Sequence, residues 1–375
     1  MSLDGSVVID LACDGGRVLQ ARITPPRPVP LGPMVQGRPV GQVIATIGAL
    51  FRVCGMAQSV AGVEAAEAAL GLAVGGRTRL ARRLLVGAET LREHLLRIAF
   101  DEAILAGGKQ DTGSLRRIMG LPTRLKESLF PGADAFVPGR RAGIPGGEAL
   151  EVAADAGEST RTMVSDRGAA LGDLDRDGFA AWARAGSTVA ARLAGVVLAR
   201  DWAMIGCPAA SEREGGLADT SCYARQGDAP LVRAFLSETG EAGLAARLAA
   251  RIVEASKLSG QIAEGLDALR ADSDSDDGTA ARFTSADGGA NRSGTASAEA
   301  ARGRLEHRVV LDDDGLVADY AIAAPTTSHF GSGGIAARSL ASLSARTREE
   351  LAAQADLIIR TIDPCVDYQV TFADA

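Results

Sequence analysis

Long stretches of helical periodicity, framed near both ends by alternating segments, most constrain what this chain can fold into. Leu91, Leu95 and Ile98 recur at helical spacing on a segment ending near Leu105, and Leu244, Leu248, Ile252 and Ala255 form a stripe within 229–270. Residues 177–204 continue the pattern, and Ser59 is placed to cap a helix carrying Val63, Ala66 and Leu70 on one face. The framing segments alternate with period two. "VVIDLACDGGRVLQARI" (7–23) turns at Asp14-Gly15-Gly16 and "LEHRVVLDDDGLVADYAIAA" (305–324) at Asp314-Gly315, both hairpin signals. With nine Phe, three Tyr and two Trp in 375 residues, packing falls to Ala, Leu, Val and Ile, which suits closely approaching helices. The expected fold is α+β, mainly α: a helical bundle core flanked by small antiparallel sheets.

Two stretches interrupt the pattern. Residues 105–150, with "LFPGADAFVPGRRAGIPGG", predict a long irregular excursion. Residues 271–298 hold almost no large apolar side chain and predict a flexible acidic, Gly/Ser-rich loop. The expected organisation is therefore an N-terminal sheet plus helical bundle over 1–270, the loop over 271–298, and a hairpin and helix over 299–375 that complete the same single domain.

The net charge of −7, without a dense basic stripe and with few aromatics for stacking, argues against nucleic-acid binding. The most apolar long window, "TVAARLAGVVLARDWAMIG", is broken by Arg192, Arg200 and Asp201 and predicts a core helix rather than a membrane span. No basic-plus-apolar leader precedes it, so a cytoplasmic protein is expected. Five widely spaced cysteines without a CxxC pair indicate free thiols in a reducing compartment.

The motifs are sparse. "GDLDRDGFAAWAR" places Asp173, Asp175, Asp177 and Gly178 like a calcium loop, but Arg184 stands where a bidentate Glu is needed, so the acids predict a turn capping the following helix. His94, His307 and His329 are expected as packing histidines. Cys13, Cys207 and Cys222 are expected as core or loop thiols. Cys54 in "RVCGMAQSVA" and Cys365 in "DPCVDYQVT" differ in their neighbours, although the residues alone leave open whether they are structural thiols or halves of a metal site.

These two segments resemble the two ends of the metal site in the large subunit of nickel-iron hydrogenases, R-x-C-G-x-C-x-x-x-H and D-P-C-x-x-C-x-x-H. Arg52, Cys54, Gly55, Asp363, Pro364 and Cys365 match, while Ala57 and Tyr368 replace the second cysteines and Ala61 and Thr371 the histidines. The N-terminal "LDGSVVIDL" is similar to that family's I-E-G-H-L strand, with Asp4 at its proton-relay glutamate. "EAARG" resembles E-A-P-R-G, with Arg302 at the arginine beside the iron's diatomic ligands. "AAPTTSHF" resembles V-P-T-T-W-N, with Thr326 at a hydroxyl that binds a cyanide. Nickel in such a site takes four thiolates, so two retained cysteines imply no nickel and no hydrogen turnover.

The resemblance narrows to the HupK-type hydrogenase expression and formation proteins. It implies a non-catalytic scaffold that transiently holds an Fe(CN)2CO unit for transfer to the hydrogenase large subunit, with Cys54 and Cys365 as metal ligands and Arg302, Thr326 and Asp4 as residues around the unit. The lost cysteines are those that bridge to iron in the family, so the iron either sits displaced toward the retained pair or shares a partner's cysteine. Implied partners are a HypC-type maturation chaperone and the immature large subunit. The resemblance also implies no C-terminal processing, because the final histidine is missing. Two other readings stay open: a metal-free docking module that mimics the large-subunit surface, and a quinone-site relative akin to the respiratory complex I subunit of shared ancestry.

Overall fold

A computed structural model describes residues 5–26, 31–109, 111–132, 135–208, 218–238, 240–271 and 292–375. The chain opens with strands β1 (Val7–Asp14) and β2 (Arg17–Thr24), joined through Gly15 at a φ of +55°, a conformation open to glycine at no steric cost. Helices α1 (Gly32–Val35), α2 (Val40–Leu50), α3 (Gly55–Leu70) and α4 (Gly76–Ala106) follow, then α5 (Thr112–Leu129) and α6 (Gly147–Met163). The next segment carries α7 (Arg176–Ala185), α8 (Val189–Ala199), α9 (Cys222–Gln226), α10 (Pro230–Arg233) and the long α11 (Leu244–Ala271). Strands β3 (Arg292–Ala300), β4 (Gly303–Leu311) and β5 (Val317–Ala323) precede α12 (Pro325–His329), α13 (Ile335–Ala341), α14 (Arg348–Ile362) and the last strand, β6 (Tyr368–Asp374).

The architecture is mainly α, with a helical core and two three-stranded sheets. One sheet is not antiparallel as expected. Its order is β2-β1-β6, and β6 runs parallel to β1 with Val7 opposite Tyr368 and Cys13 opposite Asp374. Alternation along β1 buries Val7, Ile9, Leu11 and Cys13 against the helices. The second sheet, β3-β4-β5, is antiparallel throughout.

Helix α3 is buried on nearly every face because it is built from Gly, Ala, Ser and Val, and small residues let neighbours approach its backbone. Strand β3 lies against it so closely that a Cβ on Gly294 would fall 2.1 Å from the Ala65 carbonyl oxygen and 2.5 Å from the Ala69 nitrogen. Helix α11 is likewise buried all round from Leu244 to Ser256, and further along buries only Ile262, Leu266 and Leu269.

Several boundaries differ from the sequence pattern for local physical reasons. The 105–150 stretch contains α5, capped by Asp111, which accepts from the Gly113 N–H at 3.0 Å. Pro122 inside that helix hides the buried set Ile118, Leu121, Leu125 and Leu129 from a sequence reading. The 177–204 stretch splits at Gly186 (φ +61°), and Asp175 of the acidic run caps α7 by accepting from Gly178 N–H at 2.8 Å. The expected loop at 271–298 lies outside the described residues over 272–291; Ala271 ends α11, and 292–298 are part of β3. Among the described residues, no helix is long and apolar enough to cross a membrane.

Candidate metal centre

Cys54 is the N-cap of α3, so the helix begins four residues before Ser59, which is instead a buried interior residue. No side chain within the segment caps it. Glu89 on α4 does so from a distance, accepting from the Met56 N–H at 2.9 Å and the Ala57 N–H at 3.0 Å. Burial raises the Glu89 carboxyl to about 7 despite these bonds. Arg92, also on α4, donates to the Val53 carbonyl at 2.9 Å and so ties down the segment just before the cysteine.

Cys365 is placed by the end of α14. Asp363 adopts a left-handed conformation (φ +68°) that ends the helix, a rare state for a residue other than glycine. Its carboxylate is fixed by three guanidinium groups: Arg97 at 2.7 Å, Arg302 at 3.4 Å and Arg251 at 3.9 Å. Burial alone would raise the Asp363 pKa, but Arg302, Arg97 and Arg251 hold it down at about 2. Pro364 and Cys365 then turn toward the start of α3.

Arg302 arrives from a third direction, at the two-residue turn between β3 and β4. Hairpin tips ordinarily meet solvent, yet Arg302 is only 7% exposed. One nitrogen, Nη2, serves Glu93 at 3.1 Å and Asp363, while buried Nε and Nη1 have no partner. The side chain is therefore charge-paired, but it retains two donor nitrogens to offer.

These three elements line one cavity of about 930 Å³, with Cys54, Cys365, Arg302 and Arg97 in its wall and Arg52 and Tyr368 beside them. Burial, followed by the nearby Cys365 sulfur and Glu89, raises the Cys54 thiol well above the usual range. Thr326, on α12, is brought to the same place. Its hydroxyl accepts from the Cys365 N–H at 3.2 Å and donates to Cys365 Sγ at 3.1 Å, so its proton is directed at the sulfur. Asp4 lies outside the described residues.

At the positions of the missing ligands, Ala57 and Ala61 are fully buried among Val60, Val86, Ala298, Ala300 and Leu305. Tyr368 hydrogen-bonds Asp356, and Thr371 bonds Asp10 on the outer face of the sheet. Residues that the sequence did not point to include Glu89, Arg97, Glu93 and Gln58, whose amide nitrogen lies 3.7 Å from Cys54 Sγ. Gln58 stands one helical turn from Cys54, a spacing visible in the sequence, but nothing there marks it as a sulfur contact.

The remaining histidines form internal networks. His307, fully buried, bonds Gln58 and Tyr320, each at 2.7 Å. His94 bonds Glu254 at 2.7 Å with Cys222 close by, but the Glu254 carboxylate is already gripped by Arg225 at 2.6 and 2.8 Å, so a guanidinium occupies the place of a cation.

A family model described as nickel-dependent hydrogenase matches residues 228–367. In fold the chain is similar to an NAD+-reducing [NiFe]-hydrogenase (TM-score 0.64, 16% identity, 97% of this chain and 96% of that one). It is similarly close to the Ni-Fe-Se hydrogenase of Desulfovibrio vulgaris Hildenborough (TM-score 0.61, 16% identity, 95% of each). Fold and site together resemble those of a nickel-iron hydrogenase large subunit, with one cysteine kept at each end of the site.

In sequence the chain resembles hydrogenase expression/formation proteins named HupK. The chain is 28% identical to that of Bradyrhizobium diazoefficiens, covering 100% of this chain and 99% of the relative. It is 27% identical to that of Rhizobium leguminosarum bv. viciae over 99% and 97%.

Proposed function

We propose that the protein is a non-catalytic scaffold of hydrogenase maturation that holds an Fe(CN)2CO unit as cargo between Cys54 and Cys365 and then releases it. One observation carries this reading: two thiols from opposite ends of the chain share a cavity with a buried guanidinium that has two donor nitrogens without a partner among the described residues. Cyanide nitrogens bound to iron are anionic acceptors, and such acceptors suit Arg302 Nε and Nη1. Thiolates suit low-spin iron, and two of them hold it less firmly than a four-thiolate binuclear site would, as a carrier requires.

Arg302 is the donor to the cyanides in this reading. Thr326 orients Cys365 instead, and Asp363 fixes Arg302 and Arg97 against the cavity wall. Ala57 and Tyr368 leave no bridging thiolates, so no nickel is held. The cavity has room beyond the cargo for a segment of a HypC-type chaperone that contributes a further ligand, and the immature large subunit is the recipient.

The test is infrared spectroscopy in the carbonyl and cyanide stretching region on protein purified anaerobically with its maturation partners. Wild type is expected to show these bands, and Cys54→Ser and Cys365→Ser to lose them. If no bands appear, and both variants bind the maturation partners as wild type does, the protein is a metal-free docking module.

A further inference from the structure

The geometry points to Gln58 as the positioning residue of Cys54, held in one orientation by a buried chain through His307 to Tyr320. The inference rests on the iron-holding reading above and names how that site presents its first thiol. Gln58 is 2% exposed, His307 0% and Tyr320 6%, so water does not compete for any of the three. Gln58 Nε2 lies 3.7 Å from Cys54 Sγ, Gln58 Oε1 2.7 Å from His307 Nε2, and His307 Nδ1 2.7 Å from the Tyr320 hydroxyl.

With the Gln58 amide oxygen toward His307 and its nitrogen toward Cys54, the direction of every bond follows. The Gln58 carbonyl oxygen only accepts, so His307 carries its proton on Nε2. A neutral ring then accepts at Nδ1, and Tyr320 donates. The far end of the chain is an amide N–H directed at sulfur. Turning the amide over would require His307 to move its proton to Nδ1 and Tyr320 to reverse its hydroxyl, so the three groups turn together or not at all.

The elements are locked as firmly as the bonds. Gln58 stands on α3, His307 on β4 and Tyr320 on β5, and a Cβ on Gly62 would fall 2.8 Å from the Tyr320 oxygen and 3.4 Å from His307 Nδ1. The helix needs glycine there to admit the ring pair. Cys365 is served in the same manner by Thr326, whose hydroxyl accepts from the Cys365 N–H and donates to its sulfur. Each sulfur facing the cavity thus has a side-chain donor directed at it. Outer partners of this kind tune metal affinity by about 10- to 100-fold.

The experiment compares wild type, Gln58→Leu and Tyr320→Phe by infrared spectroscopy in two states. In the metal-free protein, the Cys54 S–H stretching band, isolated by subtracting the Cys54→Ser spectrum, is expected to move in Gln58→Leu and to move less in Tyr320→Phe. In protein purified with its maturation partners, Gln58→Leu is expected to shift the carbonyl and cyanide bands and to retain about tenfold less iron. An S–H band unmoved in both variants overturns the contact. Wild-type carbonyl and cyanide bands that Gln58→Leu leaves unchanged overturn the positioning role alone. A wild type without such bands overturns the iron reading and this inference with it. Should Gln58→Leu fail to fold, Tyr320→Phe, which keeps the ring, decides both measurements.

Discussion

Arg302 combines two properties that are seldom found in one side chain, burial at a hairpin tip and N–H groups with no partner. Replacing it separates them. Arg302→Lys keeps a cation for Glu93 and Asp363 but cannot offer two further donors, so a folded protein that retains less iron, with displaced cyanide bands, is the expected result. Arg302→Met takes one cation from Asp363, which keeps Arg97 and Arg251, and one from Glu93, which keeps Arg92, and should lower stability by about 1.5–3 kcal/mol in urea denaturation. His307 gives a prediction of opposite emphasis, because it concerns acid rather than cargo. Burial pushes its pKa down from 6.5 to about 3, so it stays neutral in the fold but takes up a proton when unfolded below about pH 6.5. Stability is therefore lost as pH falls, and between pH 6 and 5 wild type should lose roughly 1 kcal/mol per pH unit more than His307→Gln. At this scale Cys54, Cys365 and Arg302 were legible because each stands in a short motif. Glu89, Arg97 and Gln58 were not, since what makes each of them part of the site is a neighbour that only the folded chain supplies.

Helix α3 carries the first half of the site, and its start is set by another helix. Without a capping side chain of its own, its first N–H groups depend on the two oxygens of Glu89. Glu89→Gln replaces one acceptor with an amide NH2 that faces a donor, and should cost about 1–2 kcal/mol in chemical denaturation. The opposite side of α3 is closed by β3, where Gly294→Ala would drive a methyl into helix backbone. Main chain cannot give way as a side-chain tip can, so a loss of about 3 kcal/mol or more is expected from the same measurement. Both hairpins were legible from alternation and Gly-containing turns, and α4 and α11 from their stripes. The helix start at Gly55 was not, because its cap comes from α4, and α5 was masked by Pro122. Strand β3 was merged with the polar run before it because its small residues, Gly294 and Ala296 among them, resemble loop composition.

Across the whole molecule, β6 beside β1 brings the two ends of the chain together and holds Cys365 near Cys54. A chain ended after Asp367 would leave the β1 edge unpaired and Cys365 without its anchor. It should elute as aggregate in size-exclusion chromatography, or as monomer unable to retain iron. A parallel pairing of segments more than 350 residues apart leaves no local pattern, so alternation reveals both hairpins but not the mixed sheet. The same pairing sets a timetable. The two sulfurs face one cavity only once a strand more than 350 residues away has found β1, so this long-range search, and not any local element, sets when both thiols are in place.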